Sequence, residues 1–524
     1  MKKGWLAAVA AALICTSCTP VSEEVSVTNL SWYLNFSWYT ASWGQSAVSQ
    51  AITEKTGINV SFQVPAGTEN ETLDALLSRN QLTDLVTLGW WEPQTELLVR
   101  SGSVYAYDEL AEQYCPEFFE YAGQAQLDWY TQPDGHVYAY PSSSTTPKDC
   151  INGVGDVSNQ CFLVRKDIYE ALGSPDMTTP EGFMQAVRDA AQLFPETENG
   201  PLIPIGLHEF TSTGCYSLEE ILQSFLAIPY QKDGAYYDRF TDPDYIAWLK
   251  VFRQLQEEGY LTSDVFLDKR AQMSEKIEDG RYFCLLYQRS DMADQQKVIY
   301  QEAPERVYLA VDGPRNLKGD EPNLSGIGIN GWTLTYITRS CEHPDKAISF
   351  VSFLLSEEGQ KLTALGIEGE HYTWEDGKAV FIGEADRLYR ENYAEYVRQI
   401  GADNTYWMFQ NDAMQRKWYV EQNPVLLQME RWCAKYTRYI AAYEIRLPFE
   451  SFAETAEASI DELWGTTLPQ LLLAESDEEF DAIFENFLAR REELGFEEVA
   501  AVKNQLYEEN WKKLGLKQEE TSWN

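Results

Sequence analysis

Three stretches near the start of the chain decide the fold: SVTNLSWYLNF (residues 26–36), AITEKTGINVSFQVP (51–65) and DLVTLGWWEP (84–93). The first alternates apolar and polar positions as a strand does, and the second joins the end of a helix to another strand through Gly57. The third places a short apolar strand before a turn with two adjacent tryptophans. Strand, helix and strand in this order predict a βαβ opening, and hence an open α/β sheet.

The same alternation of strands and helices continues through the middle third of the chain. Strands are predicted at 160–164, 202–207 and 281–287, and later at 307–311 and 332–337. From about residue 385 the pattern is mostly helical, and its clearest helix begins at Ser476, with Glu479 in the capping-box position. We therefore expect two α/β lobes around a cleft, joined by hinge segments, with an extended helical C-terminal part.

Lobe boundaries follow from where the chain leaves one set of strands for the next. We assign residues 26–141 and 307–355 to the N-terminal lobe, and residues 142–306 and 356–524 to the C-terminal lobe. A length of 524 residues is compatible with two large lobes of this kind.

The first residues predict a secretory signal. Lys2 and Lys3 precede an apolar run of about ten residues, too short to span a bilayer, and small residues then lead to Cys18. This pattern resembles a bacterial lipobox, in which Cys18 becomes the lipid-bearing N-terminus. We predict a signal peptide over residues 1–17, a flexible tether over 18–25, and attachment to the outer face of the cytoplasmic membrane through the lipid alone.

Charge and cysteine content exclude several classes of protein. With 41 basic and 82 acidic residues, the formal net charge is −41, which disfavours nucleic acid and polybasic membrane docking. Seven cysteines follow Cys18 without regular spacing, so we expect no disulfide framework.

Taken together, the ordered segments resemble a known family. The stretches quoted above, followed by DGHVYAYPSS (134–143), FLVRKDIYEALGSPDMTTPEGF (162–183), EDGRYFCLLYQ (278–288) and HPDKAISFVSFLLSEEGQK (343–361), resemble family 1 extracellular solute-binding lipoproteins of bacterial carbohydrate ABC importers. The resemblance implies a maltose-binding-protein-like, type II two-lobe fold that closes on an oligosaccharide. The long helical tail is similar to the larger oligosaccharide-binding branch.

Sugar chemistry selects the candidate contacts. A sugar ring presents C–H faces that stack on aromatic planes and hydroxyls that require polar partners, and each buried hydroxyl left unpaired costs about 1–3 kcal/mol. Aromatic and polar residues in strand-end loops meet both needs. The candidate ligand-binding residues are Trp38, Trp43, Trp90, Trp91, Glu92, Glu209, Phe210, Tyr287, Gln288, Arg289, Tyr406 and Trp407. We expect Trp332, within a strand, to be a packing residue.

Two other functions compete with sugar capture: an extracellular glycan hydrolase or lyase, and a ligand sensor for a membrane receptor. The letters of a dinucleotide motif at Gly326, Gly328 and Gly331 precede a strand instead of opening a helix, and no other nucleotide, esterase or zinc-protease motif occurs. We expect no enzyme activity, no cofactor and no metal, since the short connection at 195–200 lacks the ligands of a calcium loop. The expected partners are an oligosaccharide and ABC permease subunits, and the expected state is a monomer.

Overall fold

The computed structural model describes residues 27–421 and 423–516. The predicted signal peptide, Cys18 and the tether 18–25 lie outside the described residues. The strands, in chain order, are β1 Thr28–Leu34, β2 Ile58–Gln63, β3 Leu85–Gly89, β4 Ala139–Pro141, β5 Gln160–Arg165, β6 Glu196–Thr197, β7 Gly200–Pro201, β8 Ile203–Gly206, β9 Gln231–Lys232, β10 Ala235–Tyr236, β11 Tyr282–Gln288, β12 Tyr308–Ala310, β13 Leu324–Gly326, β14 Thr333–Ile337, β15 Tyr372–Glu375, β16 Lys378–Phe381 and β17 Thr437–Tyr439.

Helices surround the sheets and dominate the last third. They are α1 Ala47–Thr56, α2 Glu69–Ser78, α3 Gln94–Arg100, α4 Tyr107–Tyr114, α5 Phe118–Tyr121, α6 Gln124–Tyr130, α7 Pro147–Ile151, α8 Lys166–Ala171, α9 Pro180–Leu193, α10 Leu222–Phe225, α11 Pro243–Glu257, α12 Asp264–Leu267, α13 Arg270–Glu278, α14 Ala293–Glu302, α15 Pro344–Leu355, α16 Glu357–Leu365, α17 Gly383–Glu391, α18 Tyr393–Gln399, α19 Asp412–Gln415, α20 Pro424–Tyr436, α21 Phe452–Leu472, α22 Asp477–Leu494 and α23 Phe496–Leu514. Within the part of the chain described here, no helix is long and apolar enough to cross a membrane.

Two separate sheets confirm the predicted α/β class. The first has the order β2-β1-β3-β14-β4, with β1, β2 and β3 parallel, and the second has the order β12-β5-β11-β8. Apolar cores cover the first sheet on both faces, and a third, larger core surrounds the second sheet. The described residues therefore form two lobes, each with its own sheet and core.

Local chemistry sets the ends of the key helices. Ser46 caps α1 by accepting a hydrogen bond from the Ser49 N–H, and Gly57 ends the helix at a φ of 69°, where glycine carries no Cβ penalty. Ser476 caps α22 as predicted, but the Glu479 carboxylate accepts from the Glu475 N–H, one residue earlier than a capping box requires.

The lobe boundaries differ from the predicted ones at two places. Strand β12 pairs with β5 in the second sheet, so residues 307–310 belong to the second lobe and not to the first. Residues of α16, α17 and the segment up to Phe409 pack in the core of the first lobe, although the sequence assigned everything after residue 355 to the second. The sequence pattern of an apolar strand or helix is the same whichever lobe core it joins. The pattern therefore could not assign these segments to the correct lobe.

Three segments cross between the lobes, at about residues 142–159, 311–332 and 410–421, and they are hydrogen-bonded to one another. The Ser143 N–H donates to the Gln410 carbonyl at 2.8 Å, and the Thr145 N–H donates to the Gly328 carbonyl at 3.0 Å. Strands β13 and β17 pair in the same region. These crossings place the C-terminal ends of β1 and β3 opposite those of β8 and β11.

Candidate functional site

The loops at those strand ends carry two contrasting groups of side chains. In open α/β sheets, ligands bind outside the carboxyl ends of the strands. On the first lobe the loops after β1 and before β14 bring aromatic rings together, and on the second lobe the loops after β8 and β11 bring polar and charged groups together.

The first group, here called the aromatic wall, consists of Phe36, Trp38, Trp332 and Trp407. The Trp38 and Trp332 rings are stacked with centroids 6.1 Å apart and planes 12° apart, and Trp407 lies 4.4 Å from Trp332. Phe36 meets Trp407 edge to face at 5.3 Å. Trp38 is 42% exposed, whereas Trp407 is buried, so the group presents one indole to solvent on a packed aromatic base.

Hydrogen bonds hold the loop that carries Trp38. The backbone N–H and the hydroxyl of Ser37 both donate to one carboxylate oxygen of Glu69, at 2.7 and 2.9 Å. Tyr39, buried on the other side of Trp38, donates its hydroxyl to the Thr405 carbonyl at 3.1 Å. The exposed indole is therefore positioned before any ligand arrives.

The second group, here called the polar wall, consists of His208, Glu209, Tyr216, Arg270 and Asp291. Asp291 is the centre: the Arg270 guanidinium lies 3.1 Å and His208 Nε2 lies 3.5 Å from its carboxylate. Glu209 accepts a hydrogen bond from the Arg270 backbone N–H at 3.3 Å. His208 stacks on Tyr287 at 4.0 Å and meets Tyr216 edge to face at 5.4 Å.

The electrostatics of the polar wall favour an ionised Asp291 and a neutral His208. Burial raises the pKa of Asp291, but the hydrogen bond from His208 and the charge of Arg270 more than offset it, so this pKa lies below its ordinary value. Burial also lowers the pKa of His208 despite its contact with Asp291. The wall thus offers a carboxylate, a guanidinium and a tyrosine hydroxyl close together.

The two walls approach each other across the lobes. The Arg270 guanidinium carbon lies 5.8 Å from the centroid of the Trp38 ring, within cation–π range. An aromatic platform and a set of hydrogen-bonding groups therefore face each other where the two lobes meet.

The structure brings three of the predicted residues to the walls. Trp38 and Trp407 belong to the aromatic wall, and Glu209 belongs to the polar wall. Tyr287 is buried behind His208, where it supports the imidazole plane.

Three predicted residues lie in the lobe cores and are not available to a ligand. The Trp43 indole donates to Thr53 at 2.9 Å and packs against Tyr406 at 4.8 Å. Tyr406 is itself bonded through its hydroxyl to Ser46 at 2.8 Å, and Phe210 packs on Phe266 in the core of the second lobe at 4.9 Å. Loop position suggested contact with ligand, but burial of these rings stabilises the lobes instead.

Two predicted polar residues organise local structure. Both carboxylate oxygens of Glu92 accept hydrogen bonds within the first lobe, from the Gly89 N–H at 2.8 Å and from the Asn35 amide at 2.5 Å. Burial raises the pKa of Glu92 to about 7 despite these bonds. The Arg289 guanidinium donates to the carbonyls of Ser158 and Val157, both at 3.0 Å, and so anchors a crossing segment.

The remaining predicted residues, Gln288, Trp90 and Trp91, are not members of either wall. Gln288 ends β11 and pairs with Gln160. Trp91 is 49% exposed and touches Trp90 edge to face at 6.3 Å, while Trp90 lines a separate cavity.

Six members of the walls were not predicted as ligand contacts: Phe36, Trp332, His208, Tyr216, Arg270 and Asp291. Trp332 was expected to be a packing residue, and it does pack against the core of the first lobe; it lies one residue before β14 and stacks on Trp38. Tyr216 and Asp291 lie in connections and Arg270 begins α13, and their approach to the strand ends depends on tertiary structure. His208 differs from these residues, because its position directly after an apolar strand could have marked it as a candidate ligand contact.

The described residues do not fit a calcium loop. Residues 196–201 form a tight hairpin of two-residue strands, closed by the Thr197 hydroxyl donating to the Gly200 carbonyl at 2.8 Å. Across the described part of the chain, no group of three or more His, Cys, Asp or Glu side chains is arranged to hold a metal ion.

Comparisons with known proteins agree on the architecture. No family model matches the chain. The Streptococcus pneumoniae ABC-transporter substrate-binding protein FusA, in complex with kestose, superposes with a TM-score of 0.67 at 15% identity, covering 93% of this chain and 100% of FusA. An HMO-binding solute-binding protein from Bifidobacterium longum infantis gives 0.63 at 14% identity, covering 92% and 99% of the two chains.

A more limited match is seen among curated proteins. Lipoprotein LipO of Bacillus subtilis (strain 168) is 20% identical over 349 residues, which is 63% of this chain and 64% of LipO. The match thus spans less than two thirds of that relative's length. At these identities the likeness establishes architecture, and the chain has the two-lobe fold of the ABC-transporter substrate-binding proteins.

Proposed function

We propose that this protein is the substrate-binding component of an ABC importer, which captures an oligosaccharide between its lobes and delivers it to permease subunits. The observation that carries the proposal is the pairing of the aromatic wall with the polar wall across the strand ends. Trp38 supplies a face for sugar C–H groups, and Glu209, Arg270 and Asp291 supply acceptors and donors for hydroxyls. Closure of two lobes around such a site is a known hinge mechanism.

The ligands named for similar structures support a saccharide. FusA was solved with kestose, and a further similar structure, the S. pneumoniae N-glycan transport solute-binding protein, was solved with Man5GlcNAc at a TM-score of 0.53 and 14% identity. We infer that the ligand here belongs to the same broad class.

We further propose that the mature chain acts as a monomer outside the cytoplasm, anchored through Cys18 to the outer face of the cytoplasmic membrane. The apolar run before Cys18 and the name of the similar protein LipO, a lipoprotein, support this. Binding without cleavage by a hydrolase or lyase mechanism is favoured. Both acids of the polar wall lie on one side of the site, where Glu209 accepts the Arg270 backbone N–H and Asp291 pairs with the Arg270 guanidinium. The canonical glycosidase arrangement instead flanks the bond with two carboxyl groups about 5–10 Å apart.

The proposal is tested by calorimetric titration of the mature protein with a panel of fructo-, manno-, gluco- and milk oligosaccharides. We expect saturable binding to one class and recovery of the ligand unchanged by chromatography. Release of new reducing ends would instead indicate a hydrolase, and failure of every saccharide alongside tight binding of another solute class would refute the proposal.

A matched pair of variants locates the site. Trp38→Ala removes the exposed indole of the aromatic wall and should weaken saccharide binding by about 2 kcal/mol, or roughly thirtyfold. Trp91→Ala removes an indole of similar exposure outside the walls and should change affinity less than about twofold. Equal effects of the two substitutions would contradict the assignment of the site.

A further inference from the structure

A second cavity lies between the first lobe and the C-terminal part of the chain. Trp90, which lines it, donates its backbone N–H to the Trp332 carbonyl of the aromatic wall at 3.3 Å, but no member of either wall lines the cavity. Its volume is about 240 Å³, and it is open to solvent. Trp90, Trp129 and Tyr130 line it from the first lobe, and residues 444–446 and the last helix α23 line it from the other side. The volume is below the ~300–1,000 Å³ of pockets that hold drug-sized molecules, and suits a group the size of one sugar ring.

The charges around this cavity are unusual for so acidic a protein. Two bases, Arg446 and Lys513, line it, and within the described residues neither has a carboxylate oxygen within 4 Å. Two acids, Glu96 and Glu444, also line it. Burial raises the pKa of Glu444 to about 8, which favours its neutral form near pH 7, and burial lowers the pKa of Lys513 below its ordinary value.

Both bases are held in place by neutral partners. The Arg446 guanidinium donates to the Thr95 hydroxyl, which in turn donates to the Glu92 carbonyl at 2.7 Å. Lys513 donates to the Trp129 carbonyl at 2.5 Å and lies 4.7 Å from the centroid of the Trp129 ring. Since one hydrogen bond leaves most of the five guanidinium donors unused, Arg446 retains the capacity to bind an anion in a two-pronged geometry.

The rings around the cavity are positioned for stacking. The Trp129 indole donates to the Asn330 side-chain carbonyl at 2.7 Å, and the Tyr130 hydroxyl donates to the Asn330 backbone carbonyl at 2.7 Å. Their polar atoms are thus satisfied by the protein, and the ring surface that Lys513 does not cover remains apolar beside the two bases.

We propose that this cavity is a second binding site, for a carboxylated sugar unit such as a uronate, whose carboxylate pairs with Arg446 and Lys513 while its ring packs on Trp90 and Trp129. None of its lining residues belongs to the aromatic or the polar wall. It goes beyond the proposed function, because it adds recognition of an acidic unit in a separate cavity.

Two probes that differ only at C6 test this. The full mature chain is titrated with methyl β-glucuronide and with methyl β-glucoside, followed by ligand-observed NMR. We expect the glucuronide to bind about tenfold more tightly or better, because a charge-assisted hydrogen bond contributes more than a neutral one, and we expect 0.5 M NaCl to weaken it.

Variants separate this site from the walls. Arg446→Gln, and independently Lys513→Gln, should remove the preference for the glucuronide, whereas Trp38→Ala should leave it unchanged. Equal binding of the two glycosides, binding of neither, or loss of the preference in Trp38→Ala but not in the two base variants would overturn the proposal. Because Trp38→Ala reports on the walls alone, failure of either site can be told from failure of the other.

Discussion

The two walls of the candidate site are built from different chemistry. The first lobe contributes stacked indoles with one exposed face, and the second lobe contributes a buried carboxylate held by an arginine and a histidine. Stacking is tolerant of ring identity, whereas hydrogen bonds to fixed polar groups discriminate hydroxyl patterns. We therefore expect affinity for sugar rings to reside mainly in the first lobe, and selection among sugars mainly in the second.

The largest effect is expected from Trp332→Ala, a substitution inside the aromatic wall. Trp332→Ala removes a ring that contacts both Trp38 and Trp407, so it opens a cavity and leaves Trp38 without its stacked partner. We expect a loss of about 3 kcal/mol in unfolding free energy, together with most of the saccharide affinity. Chemical denaturation and calorimetry measure the two losses. A variant of unchanged stability and affinity would show that the aromatic wall is not a unit.

A smaller effect is expected when the polar wall loses its central charge. Asp291→Asn keeps the shape of the side chain but removes the anion that Arg270 and His208 share. We expect saccharide affinity to fall about tenfold, with a larger change in the ratio of affinities between sugars than Trp38→Ala produces. Titration of two competing saccharides measures this ratio.

The control for this prediction is Glu278→Gln, which neutralises an exposed acid of the same lobe. If both substitutions weakened binding equally, the effect would reflect net charge and not the polar wall.

The smallest predicted effect is on pH dependence and concerns buried acids in both lobes. Burial raises the pKa of Glu92 and Glu219 to about 7, and that of Glu444 to about 8, above their values in an unfolded chain. A raised folded-state pKa stabilises the protein below the unfolded pKa, and this stabilisation is lost as the pH rises through the folded value. We therefore expect a Tm at least ~2 °C higher at pH 5.5 than at pH 8.

Salt separates this effect from surface repulsion. The net charge of −41 also disfavours the folded state at high pH, but 0.5 M NaCl screens exposed charges more than buried ones. The pH dependence of Tm should persist at high salt, and its disappearance there would assign it to the surface.

Periodicity and caps predicted much of the fold. The alternation around Trp32, the stop at Gly57 and the cap at Ser476 are local signals, and each corresponds to an element in the structure. The lobe that a segment joins is not a local property. Strand β12 and helix α16 are apolar in either lobe, and only long-range pairing assigns them.

The site was predictable in kind and only partly in its residues. Trp38 and Glu209 were accessible to prediction because they follow strands directly. Trp43 and Tyr406 are also aromatic residues in predicted loops, but they pack against each other across a long sequence separation and are buried. Arg270 begins a helix whose contact with Trp38 depends on how the lobes face each other, which no spacing in the sequence reveals.

The most direct test of the account is a structure of the complex with the saccharide selected by titration. We predict a sugar ring within about 4 Å of the Trp38 indole plane and at least one hydroxyl in hydrogen-bond contact with Glu209, Arg270 or Asp291. A saccharide bound elsewhere, with the space between the two walls empty, would contradict the central claim.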